Sequence, residues 1–457
     1  MPKYHPDVQD LPPGYRLTEL GPLPEEWRVV RLGDLWGQGI LWIRNGFPQG
    51  GFNQQGRGVP HLRPFNVNER GEISLHQIKY VPPPPENSPY WLRKGDIIFN
   101  NTNSEELVGK VAYFDYEGKF VLSNHMTIVR IQDPRVLNNV WLAWWLLHLW
   151  HQGFTQTLAR RHVNQASISL SRLRSIPIPL PPLPEQRAIA HVLRAVQEAR
   201  EATERVIAAL RDLKRSLMRH LFTYGPVPVD AADQVALQDT PIGPLPAHWR
   251  VTRLGEVAEK PQYGYTTSAI HKPIGPKFLR ITDIQNDRVH WPSVPYCVIE
   301  EDLLAKYRLQ KSDILFARIG ATTGKTYLVR KCPKAVFASY LIRVRTQADQ
   351  LLPEYLYFFT HTSQYWHQIN AAKGGRLKHG INIPILTALR LPLPPLDEQR
   401  QIARILQTVD RKIEAEEARK EALEELFRSL LHHLMTAKVR LPQRFVQRFE
   451  EQSHAEV

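Results

Sequence analysis

Two stretches of the chain place apolar residues mostly at steps of three and four, the spacing of one face of an α-helix. The first runs through Ile189, Leu193, Val196, Thr203, Val206, Leu210, Leu213, Leu217 and Leu221, and Gly225-Pro226 stop it. The second runs through Ile402, Leu406, Val409, Ile413, Leu423, Leu426, Leu430 and Leu434. A helix from Glu185 to Leu221 extends ~55 Å, wider than a small domain, so it needs a partner of equal length. The obvious partner is the other stretch, with Ile189, Leu193, Val196, Leu210, Leu213 and Leu217 set against Ile402, Leu406, Val409, Leu423, Leu426 and Leu430. Between these helices the pattern changes. Lys94-Gly95-Asp96-Ile97-Ile98-Phe99 and Lys311-Ser312-Asp313-Ile314-Leu315-Phe316 each read as a turn entering a β-strand, and Ser312 replaces the turn glycine Gly95. Val140 to Trp150 and Tyr355 to Trp366 read as aromatic core helices. The first of these runs is about half the ~20 residues that cross a bilayer.

The same pattern occurs twice because the chain repeats itself. Gly21-Pro22-Leu23-Pro24-Glu25-Glu26-Trp27-Arg28 returns as Gly243-Pro244-Leu245-Pro246-Ala247-His248-Trp249-Arg250. Ile178-Pro179-Leu180-Pro181-Pro182-Leu183-Pro184-Glu185-Gln186-Arg187 returns as Leu391-Pro392-Leu393-Pro394-Pro395-Leu396-Asp397-Glu398-Gln399-Arg400. The frame is kept while the interior varies. If a pseudo-twofold axis relates the copies, as in C2 dimers, the helices lie antiparallel.

Charge then points to a partner. The 457 residues carry a formal net charge of +14, with a pI near 9.7. A chain this basic is expected to meet a polyanion, most often nucleic acid. The segments Glu185 to Leu221 and Glu398 to Leu434 together hold little of that excess, so the basic surface lies mostly in the domains, linker and tails. Cys297 and Cys332 are too few for a disulfide framework or a zinc cluster, and read as buried thiols in a reducing compartment. The amino terminus lacks the pattern of a signal peptide, which makes the chain cytoplasmic by expectation.

The order of variable domain, Pro-Pro-Leu-Pro-Glu-Gln-Arg helix, variable domain and Pro-Pro-Leu-Asp-Glu-Gln-Arg helix resembles the specificity subunit of type I restriction-modification systems, from Gly21 to about Lys438. The resemblance implies an α+β fold. It has two pseudo-twofold-related target recognition domains, each followed by a long α-helix, with the helices forming an antiparallel coiled coil. The expected segments are an N-terminal segment 1–20, recognition domains 21–182 and 243–395, helices 183–224 and 396–437, a linker 225–242 and a tail 438–457. Each domain would read one half of a bipartite, asymmetric site in double-stranded DNA. The helices would set the spacing and dock two methyltransferase subunits. Restriction/translocase subunits would complete the assembly. S-adenosylmethionine, ATP and Mg would belong to those partners, and this chain would carry no cofactor, no catalysis and no membrane contact. The alternatives are a recognition fragment of a fused restriction-methylation enzyme and a scaffold whose charge is incidental.

The residues agree that chemistry is absent. No Asn-Pro-Pro-Tyr-type loop for a flipped adenine occurs. Gly320-Ala321-Thr322-Thr323-Gly324-Lys325-Thr326 has three residues between its glycines where a phosphate-binding loop needs four, so it reads as a hairpin or a loop near DNA. His432-His433, adjacent on one helix, cannot face one metal. Base reading needs Arg, Lys, Asn or Gln on loops that reach a groove. In the first copy the candidates are Asn53, Gln54, Arg57, Arg63, Asn100, Asn101, Asn103, Arg160, Arg161 and Asn164. In the second they are Tyr265, Thr266, Arg280, Arg318, Lys325, Lys373, Arg376 and Lys378. Arg63 and Arg280 have a second reading, as structural arginines tying strand to helix.

Overall fold

The computed structural model describes residues 11–49, 51–373 and 380–455. The chain divides into two compact units, Met1–Ala202 with Arg419–Val457, and Thr203–Ala418. Each contains one recognition domain and parts of both long helices.

The repeated words of the sequence meet in each unit. Strand Arg28–Arg31 pairs antiparallel with Pro177–Leu180, and Arg250–Arg253 pairs with Arg390–Leu393. Prolines are tolerated there because these are two-stranded ribbons with free edges. Buried Trp27 donates its indole N–H to Glu185 Oε2 at 2.9 Å, and Trp249 does the same to Glu398. The glutamine that follows ties the helix start to the domain. Gln186 donates to the carbonyls of Pro181 and Val136 and accepts from the Asn138 amide. Gln399 donates to Pro394 and Gln350 and accepts from the Leu352 amide. The Glu-Gln pair recurs because it satisfies buried polar groups at the joint of ribbon, domain and helix.

The core of each domain is a four-stranded antiparallel sheet. Its order in the first is Leu41–Asn45, Thr127–Ile131, Ile97–Phe99, Val111–Tyr113. In the second it is Gln262–Tyr263, Leu341–Val344, Ile314–Ala317, Thr326–Leu328. The turn before the central strand is pinned by a buried carboxylate: Asp96 binds Arg130, and Asp313 binds Arg345. Ser312 takes the same left-handed conformation as Gly95, φ +75° against +95°, so the replacement carries local backbone strain. Helix Asn139–His151 covers the first sheet and is capped by the Asn138 side chain. Helices Pro353–Phe359 and Ser363–Lys373 line the core of the second domain.

The long helices are Leu183–Tyr224 and Leu396–Met435. Leu431, Leu434 and Met435 share a core with Ile189, Ala190 and Leu193 in one unit. Met218, Leu221 and Phe222 share a core with Ile402, Ala403 and Leu406 in the other. The start of one helix therefore meets the end of the other, an antiparallel pair. The seam differs from the apolar reading. Leu213 and Leu426 are 47% and 45% exposed, and Val206 also faces out. The first seam runs through Val196, Arg200, Thr203, Ile207, Leu210, Lys214 and Leu217, and the second through Val409, Ile413, Glu416, Lys420, Leu423, Phe427 and Leu430, all buried or half-buried. Charged residues hold seam positions, so a search for apolar residues alone steps onto the neighbouring face. Lys214 sits over the Phe358 ring (5.5 Å), and Phe427, its equivalent, meets Trp144 edge-on (5.3 Å).

Two segments are more ordered than loops. The range 225–242 contains strand Leu237–Thr240, paired with Gly243–Pro246 as Tyr15–Thr18 pairs with Gly21–Pro24. The tail contains helix Gln443–Ala455, whose Phe449 lies 5.4 Å from the His191 ring.

Candidate nucleic-acid interface

At one end of each central sheet several loops are laced into a rim. In the first domain the Gly46 amide donates to Met126 O (2.8 Å), and Thr102 N donates to His125 O (3.0 Å). Thr102–Asn103 then pairs with Ala166–Ser167, which pairs with Arg160–Arg161. Gly46 is required by space: a Cβ there would lie 2.3 Å from the carbonyl oxygens of Leu122 and Ser123. The second domain repeats this. A Cβ on Gly264 would lie 2.2 Å from Ala338 O, and Tyr265 N donates to Phe337 O at 2.8 Å. Arg318 N donates to Tyr340 O, and Ile381 N donates to Arg318 O.

The rim collects many of the expected residues, in different roles. Gln54, Arg57, Arg160, Arg161 and Asn164 are exposed, and Arg161 pairs with Glu105. Asn53 is engaged locally: its carbonyl accepts from the amides of Gln55 and Arg57, and its amino group donates to Arg57 O. Asn100 is buried, and Asn103 accepts from the Ser104 amide. Asn101 sits in a polar knot, donating to Asn45 Oδ1 and Thr127 Oγ1, while Thr127 donates to Asn45. Arg63 is half-buried with its guanidinium 4.2 Å from the Phe52 ring, and burial holds its pKa below the usual arginine value. Arg280 is bound through two nitrogens to Asp283, the structural alternative.

In the second domain Tyr265 is half-buried and Thr266 exposed. Gly320–Thr326 is a hairpin turn between strands Ile314–Ala317 and Thr326–Leu328. Its Lys325 lines a cavity of about 440 Å³ with Thr322, Asp287, His361 and Trp366. Arg376 and Lys378 lie outside the described residues, and so does the side chain of Lys373.

Tyr263 belongs to the second rim, in the stretch Gln262 to Lys272 that reads as a DNA loop, while Asn45, His125 and Tyr340 also belong to the rims and are absent from the expected set. A faint signal for them exists: Asn45-Gly46-Phe47 and Tyr263-Gly264-Tyr265 share a glycine followed by an aromatic. Behind the first rim His61 is fully buried. Burial, and then the charges of Arg63 and His125, lower its pKa to about 4. Among the described residues no group of three or more His, Cys, Asp or Glu is placed to hold a metal, and no helix is long and apolar enough to cross a membrane.

The family profile described as type I restriction modification DNA specificity domain matches residues 24–211 and again 246–425. The chain is similar to the putative type I restriction enzyme MjaX specificity subunit of Methanocaldococcus jannaschii, at 26% identity over 93% of this chain and 97% of the relative. It is also similar to the EcoKI specificity subunit of Escherichia coli, at 22% identity over 76% of this chain and 74% of that protein. Among solved structures, the S subunit of a type I system from M. genitalium superimposes with a TM-score of 0.57 at 15% identity, covering 89% of this chain and 96% of that one.

Proposed function

The chain belongs to the type I restriction-modification DNA specificity family, and on that premise we propose that it is the sequence-reading subunit of such a complex. Each rim reads one half of a bipartite site in double-stranded DNA. The observation that carries this is one scaffold built twice, with rims of different composition: Asn45, Asn101, His125 and the Arg160–Ser167 hairpin in one, Tyr263, Arg318 and Tyr340 in the other. Like frames with different reading groups fit an asymmetric site. The exposed Gln54, Arg57, Arg160, Arg161, Asn164 and Thr266 are proposed DNA contacts, together with Lys373, Arg376 and Lys378.

The antiparallel helices are proposed as the ruler between half-sites and as the docking surface for two methyltransferase subunits. A 42-residue helix is about 63 Å long, just under two DNA turns of ~34–36 Å; that length is an upper bound on the separation, and the half-sites are proposed to be centred one turn or somewhat more apart. Adenine methylation from S-adenosylmethionine, and ATP- and Mg-dependent restriction, belong to the partner subunits. The site of action is the cytoplasm, where the DNA is.

Reconstitution tests this. The chain with its methyltransferase subunits should methylate adenines only within one split, asymmetric motif, and the chain alone should methylate nothing. Turnover by the isolated chain, or a contiguous or palindromic motif, overturns the proposal.

A further inference from the structure

The two domains offer an internal control at one position, the residue that leaves the central strand at the rim. Asn101 and Arg318 are equivalent. Phe99 pairs with Thr127, as Phe316 pairs with Ile342. Gly109 N donates to Asn100 O, and Gly324 N donates to Ala317 O. Ile168 N donates to Asn101 O, and Ile381 N donates to Arg318 O. The side chains differ in what they have left to offer. The Asn101 amide donates to Asn45 and Thr127, and its oxygen accepts from Thr102 Oγ1. Arg318 makes no side-chain hydrogen bond or ion pair among the described residues; its guanidinium rests on the Tyr263 ring, 4.7 Å from the centroid. Other arginines of this domain are committed: Arg343 and Arg345 to Asp313, Arg280 to Asp283.

Arg318 is also held still. Its amide and carbonyl are both bonded, to Tyr340 and Ile381. The Tyr263 ring beneath it is anchored, because its hydroxyl accepts from the Ile383 amide at 3.2 Å. A planar fork of donors, fixed on an aromatic face at the end of a sheet strand, is pre-organised for a planar acceptor pair. A phosphate can take the same fork, but it carries no sequence information and the contact does not depend on a fixed orientation. Of the base edges in the major groove, guanine presents two acceptors, O6 and N7, that match a guanidinium fork. We infer that Arg318 reads a guanine in the half-site of the second domain, and that the saturated Asn101 reads no base at the same position of the first. This rests on the DNA-reading function proposed above.

The test uses the full chain with its methyltransferase subunits and a library of randomised duplexes. Wild type should enrich a split motif with a G·C pair at one position that Arg318→Ala renders degenerate, leaving the other positions fixed. Affinity for the wild-type duplex should fall on the order of 10- to 100-fold. Arg318→Lys keeps the charge but loses the planar fork stacked on Tyr263, so it should weaken discrimination at that one position. It serves as the second variant should the alanine variant melt early. The assignment is overturned if both variants enrich the full wild-type motif. It is also overturned if Arg318→Ala weakens all duplexes equally and lowers the salt slope by about one while Arg318→Lys does neither, the mark of a phosphate contact. If wild type enriches no motif, the DNA-reading function itself fails, and the assignment with it.

Discussion

The recognition domains place different groups at equivalent buried positions. His61 and Phe278 occupy the same step of the parallel strand pair, one opposite Val121, the other opposite Val336. His148 and Thr362 each lie ten residues beyond the amide that bonds to the Glu-Gln glutamine. Both histidines are buried, as is Thr362, which satisfies itself by donating to Phe359 O. A frame this tolerant accepts a neutral imidazole, a phenyl ring or a hydroxyl provided the volume is filled. The consequence is chemical: one unit contains two buried bases, and the other has neither at those places.

The largest expected effect follows from this. The pKa of His61 and that of His148 are each lowered to about 4, by burial first and then by nearby positive groups: Arg63 and His125 around one, His432, His151 and Lys438 around the other. A base whose folded pKa lies below its unfolded value of about 6.5 contributes full stability above 6.5, and that stability is lost as pH falls toward 4. At pH 5 the loss is at most about 2 kcal/mol for each histidine. Peptide-resolved hydrogen exchange from pH 7 to 5, corrected for intrinsic rates, should show Met1–Ala202 opening before Thr203–Ala418. His148→Thr, the residue of the other copy, should narrow the gap. Simultaneous opening, or earlier opening of the second unit, breaks the comparison.

A middle-sized effect separates the equivalent rim positions. Asn101→Ala leaves the buried Thr127 Oγ1 without the amide it accepts from, which costs roughly 1–3 kcal/mol. Arg318→Ala removes a group without a hydrogen bond among the described residues and should leave the melting temperature nearly unchanged. Denaturant melts of the two variants check this. Equal destabilisation would mean that Arg318 is structural.

How much of this was legible depended on the physical range of each signal. The helices were legible because their periodicity spans some forty residues, and the ribbon joints because Trp27, Glu185 and their copies recur in nearly identical words. The rims were legible only in part. Asn45 and Tyr263 share nothing but the glycine that follows, and the demand on that glycine, a carbonyl oxygen within 2.3 Å of its missing Cβ, comes from a strand far along the chain. Arg280 and Arg318 look alike in sequence; only the fold puts Asp283 beside one and Tyr263 beside the other. The middle of the seam is hidden from periodicity for a related reason. Periodicity detects apolar residues, whereas Arg200 is buried there by its ion pair with Glu72, and Lys214 by Asp410 and Phe358.

The seam also provides the cleanest test, and it turns on the smallest expected effect. Leu213→Lys changes an apolar residue into a charge at a position that is 47% exposed and outside the seam. Its expected cost is within about 0.5 kcal/mol, the range of ordinary surface substitutions. Ile207→Ala, six residues earlier and 6% exposed, removes buried methyl groups and should cost about 2–4 kcal/mol. Were the seam to follow apolar residues alone, through Val206 and Leu213, the order would be reversed, with Leu213→Lys the damaging change and Ile207→Ala the mild one. Urea melts of the full chain distinguish the two outcomes. The same pair reports on the helix surface left free for partners. If Leu213→Lys leaves the fold intact yet weakens assembly with the methyltransferase subunits proposed as partners, the exposed apolar residue belongs to the proposed docking face.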